Sequence, residues 1–151
     1  MIQDILSRTQ EWFRKAVPMP TSKNFSTQLG CHFEEVAEML GELSATGPEA
    51  LALMVKAQAA LEELSAHLKS EENAVILQLE DREGYLDALC DQIVTLTGCA
   101  HMSDMDISGG LHEVNNSNFS KFDENGEPIF NENMKVMKGP GYAKPDLAPF
   151  I

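Results

Sequence analysis

Apolar residues recur at helical spacing along most of this chain, and that period limits its fold more than any other feature. The pattern starts in "IQDILSRTQEWFRKAV" (residues 2–17) and returns in a second segment from about Phe25 to Ala45. A spacing of three and four residues places apolar side chains on one face of a helix, whereas strands alternate them. The chain is therefore predicted to be all-α.

The same spacing predicts three further helices. Gly47 and Pro48 separate the second segment from "PEALALMVKAQAALEELSAHLKS", whose apolar residues lie on more than one face and favour burial against several partners or a subunit interface. A fourth helix is predicted from about Asp81 to Ala100, and a short fifth from Ser108 to Phe119. The turn signal "DENGEP" then predicts a small hairpin or an extended arm. The expected architecture is a four-helix core with a short fifth helix and an extended C-terminal arm at about 121–151.

Length and charge narrow the class of protein. The 151 residues are about one domain, so residues 1–151 are predicted to form a single domain. The 24 acidic and 11 basic residues give a formal charge of −13, which argues against a nucleic-acid or anionic-membrane partner. The chain shows neither a signal-peptide pattern nor an apolar run of about 18 residues. A cytoplasmic protein is the expectation.

The cysteines give little support to a disulfide framework or to zinc. Cys31, Cys90 and Cys99 are odd in number and lack a CxxC pair, so reduced thiols are expected. Cys90, Cys99 and His101 do not have the spacing of a zinc finger or ribbon. His32 and His112 are interpreted as incidental.

Two of the predicted helices carry closely spaced acids beside apolar residues. "CHFEEVAEML" contains Glu34, Glu35 and Glu38. Around the helix axis, Glu34 is about 40° from Glu38, and Glu35 is about 60° from Glu38. "YLDALCDQIVTLTG" contains Asp87 and Asp91 one turn apart. Solvated surface acids are one interpretation. Facing carboxylates that lose solvation persist mainly when a cation neutralises them, and oxygen ligands suit Mg2+ or Mn2+ better than zinc.

The ordered motifs of the chain resemble a known family. "EEVAE" (residues 34–38) is similar to the EExxE motif of the MazG-like nucleoside triphosphate pyrophosphohydrolases, an all-α superfamily that includes phosphoribosyl-ATP pyrophosphohydrolase and the dimeric dUTPases. The aspartate of the family's ExxD motif falls on Asp91, but Ala88 replaces the glutamate and Asp87 lies one position earlier. "EVNNSNFSKF", "DENGEPI" and "KVMKGPGYAKPDL" resemble the C-terminal part of phage and bacterial members. The resemblance covers roughly residues 28–147.

This resemblance implies metal-dependent hydrolysis of a nucleoside triphosphate between the α- and β-phosphates, which gives a monophosphate and pyrophosphate. The metal ligands that it implies, with Asp87 replacing the missing glutamate, are Glu35, Glu38, Asp87 and Asp91. The catalytic residues that it implies are Glu34, Glu35, Glu38 and Lys121. Either Glu34 or a metal-ligating glutamate would take the proton of the attacking water, and the two alternatives stay open.

Substrate contacts are expected at both ends of the chain. The resemblance implies phosphate or sugar contacts from Asn118, Lys121, Lys135 and Lys138. Trp12 and Gln28 lie before or within the acidic helix and are candidates for reading the base, although ordinary core packing is the simpler interpretation of Trp12. Some phage relatives act on deoxyguanosine triphosphate, so a purine, guanine first, is the expected base.

Three alternatives to this substrate and this activity stay open. The substrate could be dUTP or dCTP, or it could be phosphoribosyl-ATP. The chain could also be a catalytically inactive helical module that mediates assembly. Relatives assemble as dimers or tetramers, so a homo-oligomer is expected in either case.

Overall fold

The computed structural model describes residues 4–70, 77–132 and 135–151. It contains five α-helices, and the all-α prediction is confirmed. Their bounds are α1 Ile5–Ala16, α2 Ser22–Gly41, α3 Pro48–Lys69, α4 Arg82–Met102 and α5 Ile107–Phe119. A single turn of 3-10 helix, Ala148–Phe150, lies close to the C-terminus. Ile2, which the sequence pattern assigned to the first helix, lies outside the described residues.

The helices divide between two compact units. Residues 19–78 contain α2 and α3, and residues 1–18 together with 79–151 contain α1, α4 and α5. The single-domain expectation for residues 1–151 stays a prediction. Within the described residues, no helix is both long and apolar enough to cross a membrane.

Helices α2 and α3 pack closely because small side chains line their contact. Ser26, Gly30 and Ala37 are buried on α2, at a spacing of four and seven residues that places them on one face. Ser65 and Leu68 are buried on α3. A Cβ atom on Gly30 would lie 3.0 Å from the backbone oxygen of Ser65, so the two helix backbones approach too closely there for a larger residue.

The start of α2 differs from the prediction because of its N-terminal cap. The helix begins at Ser22 and not near Phe25, and it ends at Gly41 and not near Ala45. The side chain of Thr21 accepts a hydrogen bond from the backbone N–H of Asn24, and the Asn24 side chain accepts one from the backbone N–H of Thr21. This capping box satisfies two N–H groups and adds a turn to the helix.

Helix α1 is held against α5 by a buried amide. Asn115 is almost completely buried. Its side-chain oxygen accepts a hydrogen bond from the hydroxyl of Thr9 at 3.1 Å, and its amide donates to the backbone oxygen of Ile5 at 3.4 Å. Because a buried amide without partners is costly, these bonds fix the register of the two helices.

The segment after α5 forms the predicted turn and a minimal hairpin. The carboxylate of Asp123 accepts hydrogen bonds from the backbone N–H groups of Asn125 and Glu127, and the Glu127 bond is the main cause of the lowered pKa of Asp123. Phe130 and Val136 then form an isolated antiparallel bridge. The turn signal in the sequence therefore corresponds to a tight loop at residues 123–127, and the short pairing follows it in the chain.

Candidate functional site

Two of the three acids of the α2 motif, Glu35 and Glu38, lie outside the buried stripe of the helix. Glu35 and Glu38 are exposed, whereas Ala37 between them is buried against the rest of the α2–α3 unit. In the described part of the chain, neither carboxylate makes a hydrogen bond or an ion pair. Their oxygens are therefore available to a ligand.

Glu34 has a different environment, because a lysine of α3 contacts it. The ammonium of Lys69 donates a hydrogen bond of 2.6 Å to Glu34 Oε1. The Lys69 and Glu34 side chains are only 29% and 46% exposed. Of the three acids in the motif, Glu34 is thus the one with a cation beside it.

The acids of α4 resemble Glu35 and Glu38 in their exposure. Asp87 and Asp91 are exposed, and no hydrogen bond or ion pair to either carboxylate occurs among the described residues. They stand one turn apart on a helix that begins with the carboxylate of Asp81 capping the N–H groups of Glu83 and Gly84. This helix belongs to the unit that does not contain α2.

The predicted metal ligands fit a hard divalent cation by chemistry. All four are carboxylates, which are the ligands that Mg2+ and Mn2+ prefer. Within the described residues, no three or more His, Cys, Asp or Glu side chains come together as a ready-made metal cluster. Cys90 and Cys99 are exposed free thiols on α4, and Cys31 is a half-buried free thiol on α2.

Three of the predicted substrate-binding residues form a cluster where α1 meets the end of α5. The indole N–H of Trp12 donates a hydrogen bond of 3.0 Å to the backbone oxygen of Asn118. The ammonium of Lys121 donates one of 2.7 Å to the side-chain oxygen of Asn118 and lies 5.7 Å from the centre of the Trp12 ring. Three of the predicted substrate-binding residues therefore meet in space, although Trp12 and Asn118 are 106 residues apart in the sequence.

Phe122 stacks against the indole ring of Trp12. Its ring is parallel to that of Trp12 within 5° at a centroid distance of 6.1 Å, and it is buried. Lys15 binds the following turn, where its ammonium donates to the backbone oxygen of Gly126 and pairs with Glu127 at 3.1 Å. Trp12 therefore contacts both the Phe122 ring and the Lys121 ammonium.

The C-terminal arm folds back onto the same place. The N–H of Gly139 donates a hydrogen bond of 2.9 Å to the backbone oxygen of Lys121. A Cβ atom on Gly139 would lie 2.7 Å from that oxygen, so the close approach requires glycine. Lys138 precedes this contact directly, and its ammonium lies 4.5 Å from the centre of the Tyr142 ring. The arm thus brings the backbone of Lys138 next to that of Lys121.

The other two predicted substrate-binding residues are exposed. Lys135 is exposed on the hairpin, where its backbone N–H donates to the side chain of Asn131. Gln28 is exposed on α2, in the other unit. The structure therefore gathers Trp12, Asn118 and Lys121, with Lys138 beside them in the chain path, but it does not add Lys135 to that group.

Sequence reasoning missed Lys69, Phe122 and Tyr142. Lys69 contacts Glu34 across 35 residues, and only the packing of α2 against α3 brings them together. Phe122 follows Lys121 directly and stands in the aromatic-rich stretch "NFSKF", which was a usable signal. Tyr142 lies in "KGPGY", four residues after the lysine whose ammonium it faces.

No family model matches the chain, and neither a curated protein nor a solved structure matches it. The resemblance drawn from the motifs stays a prediction.

Proposed function

We propose that this protein hydrolyses a nucleoside triphosphate between the α- and β-phosphates and releases a nucleoside monophosphate and pyrophosphate. The observation that carries the proposal is the meeting of Trp12, Asn118 and Lys121. These side chains combine an ammonium, an amide and an aromatic ring, which is a set that suits a phosphorylated nucleoside. They lie in a chain that also presents unpaired carboxylates on α2 and α4.

The carboxylates are proposed to hold Mg2+ or Mn2+. The ligands that the resemblance implies are Glu35 and Glu38, which are on α2, and Asp87 and Asp91, which are on α4. A bound divalent ion neutralises phosphate charge and lowers the pKa of a water molecule. Because this protein has a formal charge of −13, a triphosphate needs such cations to approach its acidic surface.

The lysines are proposed to complete the charge balance at the phosphates. Lys121 is oriented by Asn118 and by the Trp12 ring, so its ammonium loses little freedom when a phosphate oxygen replaces the Asn118 contact. Lys138 supplies a second ammonium from the arm that bonds to the Lys121 backbone. Asn118 can then donate its amide to a phosphate or sugar oxygen.

The base that accepts the proton of the attacking water is proposed to be Glu34 or one of the metal-ligating glutamates, Glu35 and Glu38. Glu34 already accepts the Lys69 hydrogen bond. The exposed carboxylates of Glu35 and Glu38 carry no such partner among the described residues. Guanine is proposed as the preferred base, on the resemblance to phage relatives.

The first prediction is a product assay. The protein is incubated with each of the eight common nucleoside triphosphates and either Mg2+ or Mn2+, and phosphorus NMR identifies the products. Pyrophosphate and monophosphate are expected from at least one substrate, with dGTP or GTP fastest, and chelation of the metal should stop the reaction. A different preferred base would correct the specificity alone. Orthophosphate as the first product, or no turnover of any substrate, would contradict the proposal.

A second candidate function is a helical assembly module without activity, and one observation favours it. Helix α4 has no buried residue, and Leu86 and Val94 are 62% and 68% exposed. Apolar side chains exposed in a group mark interaction surfaces. Assembly is compatible with catalysis, so we propose a homo-oligomer for the enzyme as well. The metal-dependent release of pyrophosphate distinguishes the two functions.

A further inference from the structure

The contact between Lys69 and Glu34 divides the three acids of α2 into two kinds. Glu34 and Glu38 are one turn apart on the helix, a spacing at which like charges destabilise it. Lys69 neutralises Glu34 through a hydrogen bond of 2.6 Å, while Glu35 and Glu38 are exposed and unpaired among the described residues. The unit thus keeps two acids free and holds the third.

The path of the Lys69 side chain is defined by its neighbours. A Cβ atom on Gly30 would lie 2.8 Å from Lys69 Cγ, so the aliphatic stem passes directly over this glycine. The backbone oxygens of Lys69 and Ser70 accept hydrogen bonds from the Lys23 ammonium, at 3.2 and 2.6 Å. The end of α3 is therefore tied to α2 at the residue that carries the ammonium. This geometry holds the Lys69 ammonium at Glu34.

We infer that Lys69 is a positioning residue that withholds Glu34 from the metal and sets the charge available at Glu35 and Glu38. This inference rests on the proposed function, because it assumes that those two acids bind Mg2+ or Mn2+. Lys69 acts through Glu34 and through its charge, and it does not touch the metal. Neither the motif nor its spacing assigns a role to this lysine.

If Lys69 has this role, removing its charge and removing the charge of Glu34 should change the affinity for Mn2+ in opposite directions. A purely structural ion pair would not have this effect. Lys69→Met keeps the unbranched stem over Gly30 but removes the ammonium, so the now unpaired Glu34 adds a negative charge beside Glu35 and Glu38. Mn2+ should bind more tightly, by about two- to fivefold for partly exposed charges. Glu34→Gln leaves the ammonium uncompensated beside the same acids, and Mn2+ should bind more weakly by a similar factor. The double variant should return close to the wild type.

The measurement is titration of the full chain with Mn2+ alone, by calorimetry and by the electron paramagnetic resonance of free Mn2+. Lys56→Met and Glu63→Gln are matched controls, because both residues are exposed on α3 without an ion pair to another described residue, and they change the net charge by the same amounts. They should change Mn2+ affinity by less than the paired variants do. Thermal unfolding of every variant reports the structural contribution separately.

The outcomes separate this inference from the proposed function. Opposite shifts in the two single variants, with recovery in the double variant, support the role of Lys69. If wild-type protein binds Mn2+ and releases pyrophosphate, but both single variants bind Mn2+ equally or change in the same direction, the inference is wrong and the function stands. If wild-type protein neither binds Mn2+ nor releases pyrophosphate, both are wrong.

Discussion

At the scale of single residues, charge partners distinguish side chains that the sequence presents as equivalent. Lys121, Lys138 and Lys144 all follow α5, yet their ammonium groups have different surroundings. Lys121 contacts Asn118 and the Trp12 ring, Lys138 lies over Tyr142, and Lys144 is exposed. A lysine that is already oriented loses less entropy on binding than a free one. The oriented lysines are therefore the better candidates for phosphate contacts.

Lys121→Met is the prediction that follows. The variant keeps the aliphatic stem and removes the ammonium, so the KM for the triphosphate should rise about tenfold, since a hydrogen bond to a charged group contributes roughly 1.5 kcal/mol. Steady-state kinetics of pyrophosphate release measures it. Lys144→Met is the control, because it removes the same charge from the same arm and should leave KM nearly unchanged. Equal KM values in the wild type and the Lys121 variant would remove this lysine from the binding site.

At Asp87 and Ala88 the sequence departs from the ExxD motif that it otherwise resembles. The family pattern predicts a glutamate where Ala88 stands, and Asp87 lies one position earlier, about 40° and not about 60° from Asp91 around the helix. Asp87 and Asp91 share a face of α4 because they are one turn apart, and both are exposed. The Asp87 assignment stays a prediction.

At the scale of elements, helices were predictable where their ends carry strong local signals. Pro48 opens α3 at the position where the sequence predicted it, since proline suits the first turn of a helix. The start of α2 was missed because its capping box uses Asn24 at a position where Glu or Gln is the usual signal. The contacts of Glu34 with Lys69 and of Trp12 with Asn118 were not predictable, because they depend on how whole helices pack.

Two glycine substitutions should change the free energy of unfolding in opposite directions, because Gly30 lies at the close contact of α2 with α3 and Gly98 of α4 has open space around it. Gly30→Ala places a methyl group 2.8 Å from Lys69 Cγ and 3.0 Å from the Ser65 backbone oxygen, so the free energy of unfolding should fall by about 1–3 kcal/mol. Gly98→Ala on α4 meets no atom within 4 Å and should raise it by about 0.5–1 kcal/mol through helix propensity. Urea unfolding followed by circular dichroism measures both. A Gly30 variant as stable as the wild type would contradict the close contact.

At the scale of the whole molecule, α4 presents apolar side chains at its surface. It is a helix of 21 residues with no buried residue, and four of its apolar side chains are 45% to 68% exposed: Leu86, Ile93, Val94 and Leu96. Helices in proteins gain most of their stability from packing an apolar face. An identical α4 from a second copy offers a self-complementary apolar surface, and such paired contacts are common in symmetric dimers. We propose that this contact forms the homo-oligomer.

Ile93→Glu tests that assembly, because Ile93 lies on the face of α4 that carries Leu86 and away from Asp87 and Asp91. A carboxylate placed in an apolar interface loses solvation without gaining a partner, so the dissociation constant of the oligomer should rise tenfold or more, which corresponds to about 1.4 kcal/mol. Light scattering coupled to size-exclusion chromatography, over a range of protein concentrations, measures the mass. The wild type should have at least twice the mass of one chain, and the variant should shift toward one chain on dilution. Met19→Glu is the control, because Met19 is 84% exposed between α1 and α2 and is not part of α4. A wild type that is a single chain at all concentrations, or a Met19 variant that dissociates as readily, would show that a second copy does not cover α4.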